Sequence, residues 1–272
     1  MNAVKRLYVD GTFGQIHVRV ASPLGAASRP PLYCLHQSPK SSLEFEDFMK
    51  HASSDRIVVS FDYPKYGMSD GPETESEVSI RVYAEAAFQV ADTLGHDYID
   101  LFGNHTGGKV AVEMALMRPQ AIHAITMISA AIFTQEERKS FEDLFTPIPL
   151  DAEGTRHKVN WQRIIERHTD NVSLETLDRS FYMTMMAGEA YEWGHTAAFA
   201  YDIPFNEGLK TLDQRITIFN PTDDLTFCTQ RATKILKNGE VIEKPEWSHN
   251  LLAAFPEDIA KCVREKLDAS PV

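Results

Sequence analysis

The amino-acid sequence predicts an α/β fold, a mostly parallel sheet flanked by helices with a helical block inserted late in the chain. Short apolar strands alternate with amphipathic helices as far as Ala131. From Thr134 to about Gly208 the sequence is helical and strand-free. From Arg215 the alternation resumes. The chain therefore divides into residues 1–133, the first part of the core, 134–208, a helical cap, and 209–272, the second part of the core.

Each element has its own cue. Arg6–Asp10 and Gln15–Val20 alternate in polarity around Gly11 and Gly14, which predicts a β-hairpin. Leu32–Leu35 and Ile57–Phe61 are apolar runs bounded by loop residues, as in strands buried on both faces. Between them, Leu43–His51 carries Leu43, Phe45, Phe48 and Met49 and suits a short helix. In Glu77–Leu94 apolar residues recur near three- and four-residue spacing until Gly95 stops the helix. Tyr98–Phe102 reads as a strand, Thr106–Met117 as a helix ended by Pro119, and Ile122–Ser129 as a strand. The cap carries helical segments at Glu136–Phe145, Trp161–His168, Leu174–Ala187 and Tyr191–Ala200. Strand Arg215–Asn220, helix Cys228–Lys237, strand Glu240–Lys244 and helix Pro256–Leu267 complete the pattern.

With 272 residues, 43% of them apolar, the chain can bury a sizeable core. Its formal net charge of −12 repels phosphate backbones and anionic membranes. A small-molecule substrate is expected, with neither nucleic acid nor membrane as partner; self-association into a homo-oligomer stays open. No apolar run approaches the roughly 20 residues of a membrane span. The first residues, Met1–Gly14, hold no apolar segment of a secretory signal. Cys34, Cys228 and Cys262 are widely spaced, which argues against a disulfide framework and a Cys-rich zinc site. The expectation is a reduced, cytoplasmic setting without cofactor or metal.

The chemistry is expected where Phe102-Gly103-Asn104-His105-Thr106-Gly107-Gly108 joins an apolar strand to a helix. Gly-x-Ser-x-Gly at such a junction is a nucleophile elbow, whose glycines permit a sharp turn with close backbone approach. Here the glycines are present and His105 stands at the centre. Leu35-His36-Gln37-Ser38-Pro39 follows one strand and Asp62-Tyr63-Pro64-Lys65-Tyr66-Gly67-Met68-Ser69-Asp70 the next. Asn220-Pro221-Thr222-Asp223-Asp224 follows a late strand, and Trp247-Ser248-His249 precedes the last helix.

In these motifs and their order the chain resembles the α/β-hydrolase superfamily, with a cap as in its esterase and C–C-bond hydrolase branches. The resemblance covers nearly the whole chain. It implies an oxyanion loop at His36–Pro39, with Gln37 where the family has Gly, an acid at Asp223 or Asp224, and a base at His249. Gly67-Met68-Ser69-Asp70-Gly71 also fits the elbow pattern. Pro72 and acidic residues follow it where a helix is required, so Ser69 is set aside.

His105 is the departure from the family pattern. A histidine can attack a carbonyl, but an acyl-imidazole is short-lived; it can equally position or deprotonate water as a general base. The helix N-terminus beneath it is expected to keep the ring neutral. Asp223 (or Asp224) is expected behind His249. Backbone N–H groups of Thr106 and of Gln37 or Ser38 are the expected oxyanion donors. His36, Tyr182, Met186, Trp193, His195 and Tyr201 are candidate substrate contacts, although buried Met and aromatic residues more often serve a core. No ligand spacing unites His36, His105 and His249 as a metal site.

The function expected is hydrolysis of a small, largely apolar ester, lactone, amide or activated C–C substrate through a His–Asp–His site. Two alternatives stand beside it. One is a cofactor-free lyase, decarboxylase or isomerase on the same scaffold. The other is a binding protein that kept the pocket and lost the chemistry.

Overall fold

A computed structural model describes residues 2–142, 146–167 and 172–269. The chain opens with the hairpin β1 (Val4–Gly11) and β2 (Gly14–Ala21). Then come β3 (Leu32–Leu35), α1 (Glu46–Ala52), β4 (Val58–Phe61), α2 (Ile80–Leu94), β5 (Ile99–Asn104), α3 (Thr106–Met117) and β6 (Ile122–Ile128). Helices α4 (Gln135–Glu142), α5 (Thr155–Glu166), α6 (Leu174–Met186), α7 (Trp193–Ala200) and α8 (Asp202–Thr211) separate β6 from β7 (Arg215–Pro221). The chain ends with α9 (Thr226–Gln230), β8 (Gly239–Lys244), α10 (Leu251–Ala254) and α11 (Pro256–Asp268).

The sheet runs β1-β2-β4-β3-β5-β6-β7-β8. β2 lies antiparallel to both neighbours; from β4 to β8 the pairing is parallel. Alternate residues serve opposite faces, as strand geometry requires. Tyr33 and Leu35 enter one core cluster with residues of α2, α3 and α8, while Leu32 and Cys34 enter a second with α1, Trp247 and α11. Strands buried on both faces leave their carboxyl ends as the place for chemistry.

Several elements depart from the predicted pattern: α5 starts at Thr155 where Trp161 was expected, and α10 is additional. Helix α8 follows the last helical segment expected in the cap and carries Pro204 and Gly208. Pro204 falls in the first turn, where a missing N–H does no harm, and Gly208 sits so close to Val112 that a Cβ would meet its side chain at 2.4 Å. The helix expected over Cys228–Lys237 is instead α9 followed by a 3₁₀ turn at Arg231–Lys234. The far ends of the helices expected to reach Phe145 and His168 lie outside the described residues. No helix among the described residues is long and apolar enough to cross a membrane.

Candidate active site

The site is built on the carboxyl ends of β5, β6 and β7. His105 occupies the sharp turn between β5 and α3, with φ 47° and ψ −106°. A side chain at Gly107 would place its Cβ 1.9 Å from the Leu35 carbonyl oxygen, and one at Gly103 would strike Gly107 at 2.4 Å. The glycines thus allow the turn that lifts His105 above the sheet.

His105 Nε2 lies 3.0 Å from Asp223 Oδ2. A carboxylate only accepts, so Nε2 carries the proton and Nδ1 the lone pair. Asp223 is pinned by the Ser129 hydroxyl at 2.8 Å and the Leu225 N–H at 2.7 Å. Burial opposes its charge, but the His105 hydrogen bond and these donors hold its pKa below the usual carboxylate range. Burial likewise disfavours the His105 imidazolium. Asp223, aided by Glu44 and Asp224, overrides that and raises the His105 pKa. Against the expected pull of the helix N-terminus toward the neutral ring, the Asp223 carboxylate in contact favours the imidazolium.

Of the two acids expected behind His249, only Asp224 faces it. Asp223 holds the elbow residue, not His249. His249 faces Asp224 at 3.6 Å across an exposed carboxylate. Burial lowers its pKa, with Arg167 and His105 acting in the same direction against the pull of Asp224. The imidazole of His105 reaches the acid directly, where a shorter elbow side chain would need an intervening histidine.

Two groups that sequence reasoning passed over complete the site. Glu44, just before α1, accepts from the Gln37 N–H at 3.0 Å and the Gln37 Nε2 at 3.1 Å. Asn104 Nδ2 approaches both Glu44 oxygens at 3.5 Å. Burial outweighs these donors and the Lys40 charge, and pushes the Glu44 pKa up to about 7. Lys40, from the same loop, spans to α6 and donates to Ser180 and Thr184. Glu44 stands between Leu43 and Phe45 in an apolar stretch, the one weak sequence signal that marked it.

Glu44 takes the Gln37 N–H, so of the two expected oxyanion donors in this loop Ser38 is the better placed. The Ser38 N–H makes a long 3.3 Å contact to Thr106 Oγ1. Thr106 opens α3, where an N–H has no intrahelical acceptor.

A cavity of about 680 Å³ lies over the elbow, lined by Gln37, Ser38, His105, Thr106, His195 and His249 among others. A smaller pocket of about 70 Å³ joins His105 and His249 to Glu44, Asn104 and Asp223. The large cavity mixes Phe133, Ile164 and Phe199 with charged side chains, and most of its surface is apolar. His195 reaches it, with Nδ1 2.5 Å from Glu192 Oε2.

The other expected substrate contacts do not line these spaces. His36 is sealed: its Nε2 accepts the Tyr63 N–H at 3.0 Å and its Nδ1–H reaches the Gln37 carbonyl at 2.9 Å. Burial lowers its pKa to about 4. Tyr182 is 57% exposed on the outer face of α6. Met186 is partly buried away from the lining. Trp193 meets Lys65, 5.8 Å from its ring centre. Tyr201 gives its hydroxyl to Glu113 and packs on the core. Helical periodicity marks these residues as apolar but does not say which face of the helix meets the elbow. Ser69 is structural, its hydroxyl fixed between the Asp62 carbonyl and the His17 N–H. Among the described residues no three His, Cys, Asp or Glu side chains are placed to share a metal ion.

A parallel sheet with a strained elbow after β5, an acid after β7 and a histidine before the last helices defines the α/β-hydrolase architecture. The chain belongs to the alpha/beta hydrolase fold family, which residues 30–235 match. Over 118 residues it is 29% identical to a proline iminopeptidase of Clostridium botulinum, covering 41% of this chain and 40% of that one. Over 114 residues it is 25% identical to epoxide hydrolase 4 of Mus musculus, covering 41% and 32%. The matched stretch thus spans less than half the length of either relative. An epoxide hydrolase structure from Vigna radiata aligns with a TM-score of 0.77 at 15% identity, covering 96% of this chain and 97% of that one. A carboxylesterase structure from Bacillus subtilis aligns at 0.75 and 18%, covering 99% and 93%. At such identities these structures speak for the fold.

Proposed function

We propose that this protein is a hydrolase of a small ester, lactone or amide in which His105 is the general base, not a covalent nucleophile. The observation that carries the reading is the 3.0 Å contact between His105 Nε2 and the buried Asp223 carboxylate. It fixes the ring, leaves Nδ1 as the base and stabilises the imidazolium that forms. His105 takes a proton from water, and the water oxygen bonds to the substrate carbonyl carbon. The oxyanion that results is met by the N–H groups of Thr106 and Ser38. Collapse expels the leaving group, which takes its proton from Glu44 or from the imidazolium. His249 is a second polar wall of the same pocket, and residues 134–208 serve as the cap that excludes water.

The test is turnover of short-chain aryl esters and lactones by wild type, His105→Ala and His249→Ala. Loss of activity in His105→Ala, with a smaller loss in His249→Ala, is expected. A silent wild type that still binds small ligands overturns the reading in favour of a binding protein.

A second reading has support in Glu44. A carboxyl group that titrates near neutrality beside a histidine base suits proton shuttling in a lyase or isomerase. Turnover in ¹⁸O-water separates the two, since hydrolysis places solvent oxygen in the acid product and a lyase does not.

A further inference from the structure

Most of the cationic side chains around the large cavity are paired locally. Four cationic side chains line it, Lys40, Lys109, Arg163 and Arg167. Lys109 is neutralised by Asp202. Arg167 meets Asp224 at 2.9 Å and Arg163 faces Glu192 at 3.9 Å. Lys40 is different. Its ammonium donates to the Ser180 carbonyl at 2.8 Å, the Ser180 hydroxyl at 2.7 Å and the Thr184 hydroxyl at 2.8 Å. All three acceptors are neutral. Among the described residues Lys40 takes part in no ion pair. Glu44 acts on it only from beyond contact, being held by Gln37 and Asn104.

An ammonium on a half-buried side chain, hydrogen-bonded but in no ion pair, still bears part of the desolvation of its charge. Burial accordingly lowers the Lys40 pKa to about 8, against the pull of Glu44. An anion arriving beside it offsets that cost, and takes the ammonium N–H now given to the Thr184 hydroxyl, since all three donors are engaged. Lys40 lines both the large cavity and the small pocket, and in each it shares the wall with His105. The Ser180 hydroxyl, which accepts from Lys40, keeps its own proton to donate to the same anion.

We propose that Lys40 and the Ser180 hydroxyl form a carboxylate-binding subsite, so that the substrate is an anionic carbonyl compound held by its carboxylate while His105 serves the carbonyl. The inference rests on the reading of this cavity as the active site. It narrows the substrate from any small ester or amide to one that carries a free acid group.

The experiment is calorimetric titration of the whole protein with glutarate and, separately, with its neutral diamide, glutaramide. Wild type is expected to prefer glutarate by about tenfold or more, the scale of a charge-assisted hydrogen bond. Lys40→Met is expected to lose the preference and Lys40→Arg to keep it. Equal affinity for the two ligands in wild type overturns the proposal, as does absence of glutarate binding at millimolar concentration. A preference that survives in a folded Lys40→Met protein also overturns it. Should Lys40→Met fail to fold, the wild-type comparison and Lys40→Arg still decide. Because nothing is turned over, the titration is independent of the role of His105. Glutarate binding without ester turnover leaves the subsite standing and removes the hydrolase reading.

Discussion

Two histidine–aspartate pairs stand at the carboxyl ends of parallel strands, one beside β4 and one after β7, and their contrast is instructive. His17 Nδ1 meets Asp62 Oδ2 at 2.9 Å, with side-chain exposures of 4% and 2%. His105 Nε2 meets Asp223 Oδ2 at 3.0 Å, with exposures of 26% and 2%. The chemistry and distance are nearly the same; access to the cavity is not. Asp62 also accepts the Ser42 N–H at 2.7 Å and the Met68 N–H at 2.8 Å, so it ties three loops together. Asp223 ties only its own loop and Ser129, and the same Oδ2 that accepts from Ser129 also holds a ring that faces open space. One pair is a fastening. The other is a base held ready for a reactant.

The sharpest way to break the comparison is to remove one partner of each pair. Asp62→Ala is expected to lose about 3–5 kcal/mol of stability, because it strands a buried histidine and two N–H donors. His105→Ala is expected to lose about 10²–10⁴-fold in kcat/KM, with stability changed by about 1 kcal/mol or less. Urea denaturation and ester kinetics on both variants check this. If Asp62→Ala proves as stable as wild type, the fastening role falls.

A smaller effect sharpens the functional half. Asp223→Asn keeps the shape but weakens the hold on His105, and a loss of about tenfold to a hundredfold in kcat is expected. The pH profile should move with it. His105 acts as base only when neutral, and its folded pKa is raised. Wild-type kcat/KM is therefore expected to fall as pH drops through a value above about 6.5. In Asp223→Asn that midpoint should shift to lower pH; an unmoved midpoint means that another group limits the rate.

The smallest expected effect is on the pH dependence of stability, and the two aspartates and the histidine differ in sign. A raised histidine pKa gives stability that is present below about pH 6.5 and is lost as pH rises through the folded value. The depressed pKa values of Asp62 and Asp223 give stability that is present above about pH 3.9 and is lost on acidification. The stability of wild type relative to His105→Ala should thus shrink between slightly acidic and alkaline pH. A difference that grows with pH contradicts the assigned direction.

Much of the frame was readable from local pattern. Leu32–Leu35 and Thr106–Met117 form with the expected bounds, because apolar runs and flanking glycine or proline are local signals. The position of His105 on an elbow was readable for the same reason. Its partner was not. Residues 105 and 223 meet because β5, β6 and β7 lie side by side, and the order of strands in a sheet leaves no mark in the composition of any one strand. Glu44 escaped notice for a similar reason: a lone carboxylate before a helix reads as a first-turn acid until the Gln37 loop is folded over it.

The sequence by itself determined the α/β alternation, the late helical insertion, the elbow with its glycines, and the absence of serine, cysteine and aspartate at the elbow's centre. These follow from periodicity and steric punctuation over a few residues. The tertiary structure alone decided that Asp223 holds His105, that His36 is sealed while His195 faces the cavity, and that Lys40, among the described residues, stays outside any ion pair. Each of those depends on which distant side chains share a small buried volume, and electrostatics in such a volume is set by distance and desolvation, not by position in the chain.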